Sequence, residues 1–463
     1  MKRRLFRPAL ALSACLLLSA CAGPGTAPSG TGAPSAAPAP SAAETADSLQ
    51  YLTPQREGGM YASGTGPGTG SDELLLWVDY ARGAVTCLCA QPNCDHRTDA
   101  CTARVPLPEG SQSTPVVLCR AAPDGRLILY VSAEAGSIWV ANADGTDRRA
   151  LVDWTADSIY PWLADGEALY YTGFRASGAE VSPTILYRVP LDGGQPEEAF
   201  RLRNAGDGTE QEEIIGAWGR NAVTLYADLR DVMTVAKPDL PPDVTPEEHA
   251  AAWAAYDAEV AGHKVTRQVC LRNVDTGETT VLAQWETAGL DAGWLTGWQD
   301  GRLYQLSDDL SAARVTTPDG QVTETAVQWP EELAGLSHGS GLSGIVGGQM
   351  LVNCYPADAP GGHRVAVDPA TGACTEIRLM RLEPATGAEQ PMNLYGAGGG
   401  YVLLACEQRQ TTRTEMGLDG ALYDAQVYEE RYGLLTVEDF LASRQNWTEL
   451  NDGYQLSVFA AVG

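Results

Sequence analysis

Four cysteines and one histidine lie close together near the start of the chain, at Cys87, Cys89, Cys94, His96 and Cys101. Their spacing is Cys-x-Cys-x4-Cys-x-His-x4-Cys. Three thiolates and one imidazole can complete the tetrahedral shell of a zinc ion. The predicted ligand set is Cys89, Cys94, His96 and Cys101. Because four protein ligands leave no open position, the predicted zinc is structural rather than catalytic.

The same cysteines also suit two disulfide bridges. Four cysteines can pair in three ways, and an exported protein meets conditions in which disulfides persist. Cys87 would then pair within the cluster, and His96 would have no role. The residues alone leave zinc and disulfides as alternatives for this loop.

The rest of the sequence carries no convincing catalytic or cofactor-binding motif. Gly339 to Gly344 fits G-x-G-x-x-G, but a dinucleotide loop needs a strand before it and a helix after it, and neither is predicted there. An H-E-x-x-H motif and a P-loop are missing from the sequence. Acidic doublets could supply the two carboxylates of a glycosidase, but we interpret them as solvated turns: Glu197–Glu198, Glu212–Glu213 and Asp308–Asp309. No catalytic residue is therefore assigned.

The residues that could do chemistry are embedded in a series of repeated β units. Each unit has an Asp-Gly or Gly-Gly turn, an apolar run, a polar gap, a second apolar alternation and a further turn with Asp and Gly. Alternating apolar residues are typical of half-buried strands, and Asp and Gly supply the turns between them. Copies of the unit occur near Leu74, Asp124, Asp165, Gly219, Asp300, Gly347 and Gly398. A spacing of about 40 to 50 residues matches the period of propeller blades, so the predicted fold is an all-β β-propeller with seven blades, with six or eight as alternatives.

Two short helices interrupt the β pattern. Thr245, Pro246 and Glu248 form a capping-box signature, which predicts a helix near 246–261 within an insertion near 237–263. This insertion either packs on its own blade or serves as an arm that binds a partner. Thr436 begins a second, shorter predicted helix, which we expect to close the last blade.

The N-terminus has the features of an export signal. A basic start is followed by an apolar stretch from Ala9 to Leu18, which is too short to span a bilayer. The run Leu18-Ser19-Ala20-Cys21 resembles the bacterial lipobox, which implies cleavage before Cys21 and a lipid on its side chain; the alternative is an ordinary secretory signal. Residues 1–20 are thus predicted to be a signal peptide. Residues 21–48, rich in Ala, Gly, Pro and Ser, are predicted to be a flexible tether, and residues 49–463 the propeller.

Two stretches also resemble known families. The unit around Ile138 to Asp147, with its Asn-x-Asp-Gly turn, is similar to the repeat of TolB-type propellers. The cysteine cluster and the C-terminal tail resemble lipid-anchored, TolB-like propellers of Gram-positive, clostridial-type bacteria, a family of no established function. In that family the loop usually has three cysteines and the histidine. Because three cysteines cannot all form disulfides with one another, this set implies a metal site rather than disulfide bridges. Cys87 is an additional thiol here and weakens that implication.

Charge and location limit the functions to consider. Residues 1–20 hold four basic and no acidic residues, so their removal takes the net charge from −28 to −32. This acidity excludes nucleic-acid binding, which needs clustered cations. We expect a monomer on the extracytoplasmic face of the cell membrane, held there by the lipid on Cys21. The first hypothesis is a non-enzymatic module that binds a protein, peptide or glycan; the alternatives are an extracellular hydrolase or lyase, and a small-ligand sensor or transport accessory.

Overall fold

The computed structural model describes residues 48–66, 73–98, 100–105, 116–132, 135–155, 157–174, 176–177, 180–181, 183–241, 244–356, 361–384, 387–416, 422–450 and 453–457. The predicted signal peptide, Cys21 and all but the last residue of the predicted tether lie outside this part of the chain. Within it, seven antiparallel sheets follow one another as the blades of a β-propeller. The predicted fold and the preferred blade count are therefore confirmed.

The first three blades follow a two-residue strand, β1 (Gln50–Tyr51). In each blade the strands are called A to D in chain order. Blade 1 contains β2 (Gln55–Arg56), β3 (Gly59–Thr65), β4 (Leu74–Asp79) and β5 (Ala84–Cys87). Blade 2 contains β6 (Val116–Ala121), β7 (Leu127–Ser132), β8 (Gly136–Ala141) and β9 (Arg149–Thr155). Blade 3 contains β10 (Ser158–Ala164), β11 (Ala168–Phe174), the small hairpin β12 (Ala176–Ser177) and β13 (Glu180–Val181), β14 (Ile185–Pro190) and β15 (Glu197–Arg201).

The next four blades repeat the arrangement. Blade 4 contains β16 (Glu210–Trp218), β17 (Asn221–Asp228), β18 (Lys264–Asn273) and β19 (Thr279–Ala288). Blade 5 contains β20 (Trp294–Gln299), β21 (Arg302–Ser307), β22 (Ala312–Thr316) and β23 (Val322–Ala326). Blade 6 contains β24 (Ser337–His338), β25 (Gly344–Val346), β26 (Gln349–Tyr355), β27 (His363–Val367) and β28 (Cys374–Glu376), and a hairpin of β29 (Met380–Leu382) and β30 (Glu389–Pro391) follows it. Blade 7 contains β31 (Asn393–Gly398), β32 (Tyr401–Met416), β33 (Leu422–Thr436) and β34 (Thr448–Leu450), and the final strand is β35 (Gln455–Leu456).

The two ends of the chain meet in blade 1. Strand β2 pairs with the start of β3, where Gln55 lies opposite Met60. Strand β35 pairs with the end of the same strand, where Leu456 lies opposite Gly64. The ring is thus closed by strands from both ends of the chain.

The hydrophobic core lies between the blades, because each sheet buries one face against the sheet before it and the other against the sheet after it. Between blades 4 and 5, for example, Ile215 and Val223 pack with Trp298 and Leu303. Gly216 is needed at this junction, since a Cβ there would lie 2.2 Å from the Trp298 ring. A larger residue would push the two blades apart.

The insertion in blade 4 carries α1 (Pro246–Val260), which begins with the predicted capping box: Glu248 N–H donates to Thr245 Oγ1. Tyr256 and Val260, near its C-terminal end, pack on Val265 of the same blade, while the first turn is exposed. The helix α2 (Val437–Leu441) was expected to close the last blade. It instead connects β33 to β34 and packs Phe440 against residues of blades 6 and 7, because the last blade is completed by strand pairing.

The two ends of the propeller differ in their connections. Because the strands alternate in direction, the A–B and C–D turns lie at one end, called the turn face, and the B–C and D–A connections lie at the other, called the elaborated face. The A–B turns are short: 57–58, 122–126, 165–167, 219–220, 300–301, 347–348 and 399–400. The long connections belong to the elaborated face: 88–115, 229–263, 327–336 and 377–392.

The N-terminal segment, residues 48–56, crosses the inner strands at the turn face. Leu49 N–H donates to the carbonyl of Gly219, in the A–B turn of blade 4 (2.7 Å). Strand β1 then pairs with the end of β10 in blade 3, and Thr53 bridges Ala121 at the end of β6 in blade 2. The segment therefore reaches from blade 4 to blade 1 before the first blade begins.

Candidate metal centre

The cysteine cluster is an excursion from the outer strand of blade 1. After β5, Leu88 N–H donates to the carbonyl of Leu75 (2.9 Å), and the chain then leaves the sheet. It returns when Leu75 N–H donates to the carbonyl of Ala103 (2.8 Å) and Arg104 bridges Leu74. Residues 89–102 are thus a loop whose two ends meet on one strand, and the ligand candidates lie inside it.

The structure brings the four predicted ligands together. One possible ligand atom from each of Cys89, Cys94, His96 and Cys101 lies within 4.8 Å of all the others. His96 Nδ1 lies 3.3 Å from Cys101 Sγ. Cys101 is buried and the other three are half-buried. Such a group of three sulfurs and one imidazole nitrogen could hold a metal ion.

The backbone of the loop supports negative charge on the sulfurs. The amide of His96 donates to Cys94 Sγ (3.4 Å). Gln91 and Ala103 make the corresponding contacts with Cys89 and Cys101, so each of the three sulfurs accepts from the amide two residues further on. Such hydrogen bonds favour the thiolate form, which is the form that binds metal.

The loop turns sharply between its ligands. Asn93 (φ 56°) and His96 (φ 60°) adopt left-handed backbone conformations, which are uncommon for non-glycine residues but enriched at Asn, Asp and His. Thr102 Oγ1 accepts from the amide of Ala90 (3.0 Å), which joins the two ends of the loop. The sequence therefore folds back on itself tightly enough to point four side chains at one place.

The thiols of the cluster differ in acidity. Burial raises the pKa of Cys89, but hydrogen bonds from Gln91, Cys101 and Thr102 outweigh it and lower this pKa. Burial and the neighbouring thiols raise the pKa of Cys101. In Cys87, burial and repulsion from the other three cysteines raise the pKa to about 12. Without a cation, the cluster therefore holds only part of the negative charge that a bound metal would stabilise.

Cys87 lies beside the cluster rather than in it. It is half-buried against the core of blade 1 and is not one of the four residues whose ligand atoms converge. None of the cysteines in the described ranges forms a disulfide. The convergence of Cys89, Cys94, His96 and Cys101 is compatible with the metal alternative.

The loop is held against blade 2 by Arg148. Its guanidinium donates to the carbonyls of Arg104 (2.5 Å) and Thr102. Gly145 of blade 2 also packs on the loop, since a Cβ there would lie 3.1 Å from the Leu88 carbonyl. The cluster thus sits at the junction of blades 1 and 2.

Three histidines outside the cluster do not converge on a site. His338 Nε2 and Nδ1 contact the carbonyls of Asp308 and Gly339 (both 2.8 Å), and His363 pairs with Glu376 (2.7 Å). His249 accepts from the Trp253 indole (3.2 Å) on α1. Over the described ranges, no second group of His, Cys, Asp or Glu has metal-binding geometry.

The glycine-rich motif is not a dinucleotide loop, as the sequence predicts, whereas one acidic doublet differs from the prediction. Gly344 begins the strand β25, so a strand follows the motif, whereas a dinucleotide loop needs a helix there. The interpretation of the Glu212–Glu213 doublet as a solvated turn is wrong. Both residues lie in β16, and Glu212 is buried.

Glu212 faces blade 3 and is fully paired there. Arg203 and Arg272 contact its two oxygens (3.1 and 2.8 Å), and Thr224 Oγ1 donates to it (2.7 Å). Burial raises the pKa of Glu212, but the two arginines and the hydrogen bonds outweigh burial and lower it. Alternation along a strand could have indicated that two adjacent glutamates face different blades, but nothing in the sequence identifies their partners.

Glu213 faces the other way, toward blade 5, and makes no hydrogen bond with the described residues. Arg267, Thr287 and Gln305, from β18, β19 and β21, have buried polar atoms in this region. These residues were missed in the sequence because they come from separate repeats and form no motif.

A cleft of about 380 Å³ opens on the elaborated face between blades 5 and 6. Asp308 and His338 form part of its rim, and Trp329 and Leu333 part of its floor. Elsewhere, no helix over the described ranges is long and apolar enough to cross a membrane.

Comparison with known proteins finds structural neighbours at low identity. No family model and no curated protein matches the chain. The β-propeller domain of the Trilobed protease from Pyrococcus furiosus is 11% identical, with a TM-score of 0.41 over 85% of this chain and 99% of that chain. An oligogalacturonate lyase from Vibrio parahaemolyticus is 12% identical, with a TM-score of 0.39 over 85% and 86% of the two chains.

A prolyl endopeptidase structure is also similar, with 12% identity and a TM-score of 0.47 over 85% of this chain and 55% of that chain. This chain thus spans about half the length of that protein. At such identities the similarity does not extend to activity. The chain is a seven-bladed β-propeller with a Cys3His cluster that could hold a metal.

Proposed function

We propose that this protein is a lipid-anchored binding module of the extracytoplasmic surface, without catalytic activity of its own. The observation that carries the proposal is the difference between the two ends of the propeller. At the turn face every A–B turn is short and the longest C–D connection is 437–447, which contains α2. The elaborated face has the longer connections 88–115, 229–263 and 377–392, with helix α1, a projecting hairpin of β32 and β33, and the cleft beside Trp329. Binding surfaces are commonly built from such loops on a rigid scaffold.

The path of the N-terminus gives the module an orientation. Residue 48 is followed at once by Leu49, whose amide is bonded to the A–B turn of blade 4. The predicted tether therefore joins the propeller at its turn face. A lipid on Cys21 would place that face toward the membrane and leave the elaborated face free for a protein, peptide or glycan.

Binding to glycan and peptide arrays tests the proposal. Leu290, in the elaborated-face connection 289–293, is 53% exposed, and Val322, next to a C–D turn, is 57% exposed. We expect Leu290→Arg to weaken array binding by about tenfold or more, and the matched variant Val322→Arg to leave it unchanged. Equal losses, or no saturable binding by the unmodified protein, would contradict the proposal. Conversion of an array substrate would favour the hydrolase or lyase hypothesis.

The metal in the cluster is proposed to be zinc with a structural role. Thiolate and imidazole ligands suit zinc, and four of them exclude an open coordination position. Residues 89–102 leave and rejoin one strand and have little hydrophobic core of their own. A bound ion would therefore stabilise the conformation of this loop.

Native mass spectrometry tests this assignment. We expect one zinc per chain in the unmodified protein and in Cys374→Ser, because Cys374 is free and lies in blade 6. Cys94→Ser should lose the zinc. A metal-free mass that is lower by four hydrogens, with both bridges mapped to the cluster, would instead establish the disulfide alternative.

A further inference from the structure

The interface between blades 4 and 5 contains buried polar atoms that lack partners over the described ranges. Gln305 is fully buried, yet neither its Oε1 nor its Nε2 forms a hydrogen bond. Arg267 Nε and Thr287 Oγ1 are likewise buried without partners. Most buried polar atoms in native proteins are satisfied, and each exception costs free energy unless water, an ion or a ligand completes it.

Gln305 and Arg267 point into the same interface. Leu303 of β21 belongs to the hydrophobic cluster shared by the two blades, and Gln305 lies two residues further along the same strand. Val269 of β18 belongs to the same cluster, and Arg267 lies two residues before it. Because strand side chains alternate between faces, Gln305 and Arg267 both point between blades 4 and 5.

The interface also carries a cation without a close counter-ion. The Arg267 guanidinium donates to the Leu290 carbonyl (3.1 Å) and forms no ion pair with any described residue. Burial lowers its pKa, although Asp291, Asp308 and Glu213 oppose this at longer range. A partly buried charge without a partner is destabilising.

The neighbouring Arg314, in contrast, has both an ion pair and an aromatic contact. It pairs with Glu324 (2.7 Å) and stacks 4.2 Å from the centre of the Trp294 ring. Arg314 lies directly opposite Gln305 in blade 5. The contrast therefore concerns Arg267 itself and not arginines at this junction in general.

We propose that the interface of blades 4 and 5 binds a small carboxylate, held by Arg267 and the side-chain amide of Gln305. The two oxygens of a carboxylate match the N–H groups of a guanidinium in geometry and charge. Gln305 Nε2 and the Thr287 hydroxyl could each donate a hydrogen bond to a carboxylate oxygen. Both donors are otherwise unpaired over the described ranges. Arg267 and Glu213 are only partly buried, whereas Gln305 is fully buried, so solvent reaches the interface from the side of Arg267.

Glu213 is compatible with this ligand at neutral pH. Burial raises its pKa to about 7, although Arg267 opposes the rise. Its protonated form can therefore donate a hydrogen bond to the bound anion rather than repel it. The inference concerns an internal site and does not depend on the membrane arrangement proposed above.

The test is calorimetric titration of the full-length chain with sodium acetate at pH 6.5, against sodium chloride at equal ionic strength. We expect saturable acetate binding, weaker by about tenfold or more in Arg267→Gln and by a few-fold in Gln305→Leu. Arg314→Gln is the matched control and should bind as the unmodified chain does. Arg267→Lys, which keeps the charge but not the planar N–H groups, provides a second variant if Arg267→Gln does not fold; it should also bind more weakly.

The proposal would be overturned by any of three results. The first is the absence of saturable acetate heat beyond that of chloride, which would leave ordered water or an adventitious ion in the site. The second is weakening of binding by Arg314→Gln as large as that by Arg267→Gln. The third is undiminished binding when both Arg267 and Gln305 are replaced.

Discussion

Two adjacent glutamates on opposite faces of blade 4 have opposite environments. Toward blade 3, Glu212 is enclosed by Arg203 and Arg272, and its pKa is lowered. Toward blade 5, Glu213 has no hydrogen bond with the described residues, and burial raises its pKa to about 7. Because the two residues share strand β16, the backbone cannot explain the difference. The arginines on each face do: Arg203, from the connection before β16, and Arg272 of β18 contact Glu212, whereas Arg267 of β18 acts on Glu213 at longer range.

This difference indicates two roles for buried polar side chains between the blades of a propeller. A fully paired network between blades 3 and 4 fixes how the two sheets meet, since either partner alone would be buried and uncompensated. An incompletely paired interface, such as that between blades 4 and 5, costs stability in the free protein and is available to a ligand. Five predictions, each with its own substitution, can break or sharpen the comparison.

The largest effect is expected for Glu212→Ala. Its removal leaves Arg203 and Arg272 in the interface without their carboxylate, which should lower the free energy of unfolding by about 3–5 kcal/mol. Urea denaturation measures the loss. Glu213→Ala is the control on the other face and should cost less than about 1 kcal/mol; equal losses would show that the two faces do not differ.

The next effect is a pH dependence of stability that originates from Glu213. Its folded-state pKa, about 7, is above the unfolded value of 4.5, so the folded chain binds this proton more tightly. The contribution therefore favours folding at low pH and is lost as pH rises from about 4.5 to 7, by at most about 3 kcal/mol. Denaturation at several pH values should show this slope, and Glu213→Gln should remove it.

Glu212 should give the opposite slope at lower pH. Its pKa is lowered from 4.5, so its contribution to stability is present above that pH and declines as the pH falls. Glu212→Gln should therefore flatten the acid side of the profile. A profile in which both variants change the same side would contradict the assignment.

A smaller effect is expected for Gln305→Leu measured without carboxylates. Both amide atoms of Gln305 lack partners in the described structure, so an apolar side chain of similar size should raise stability by about 1–2 kcal/mol. Gln268→Leu, toward blade 3, is the matched control. Gln268 bonds to Gln284 (2.8 Å) and Arg203 (3.2 Å), and its replacement should lower stability by about 1 kcal/mol. Thermal denaturation of the two variants should give shifts of opposite sign.

The smallest effect is expected for Arg314→Gln. Its ion pair with Glu324 is partly exposed, and such pairs contribute about 0–1 kcal/mol. A loss well above this range in urea denaturation would mean that Arg314, rather than Arg267, is the arginine on which the junction of blades 4 and 5 depends.

Local patterns in the sequence were sufficient for the propeller and for the predicted ligand set. Turns such as Asp124-Gly125 and Asp300-Gly301 recur at each blade, and each can be recognised without its neighbours. The cysteines of the candidate metal centre are likewise close in sequence. The capping box of Thr245 and Glu248 also correctly located α1.

What the sequence did not reveal depends on contacts between distant segments. Arg267 and Gln305 come from different blades, and their missing partners are a property of the packed interface. Glu212 was misjudged because its cations, Arg203 and Arg272, are supplied by a neighbouring connection and by another strand. The closure of the ring by β35 was missed for the same reason, since its partner β3 lies near the other end of the chain.

That closure has a consequence for the order of folding. Leu456 pairs with Gly64, so blade 1 cannot be completed until almost the whole chain has been synthesised. Contacts between such distant residues are slow to form, and the incomplete edge of β3 is exposed until they do. β35, the last strand in the described part of the chain, therefore ends the period in which β3 of a nascent chain could pair with the wrong partner.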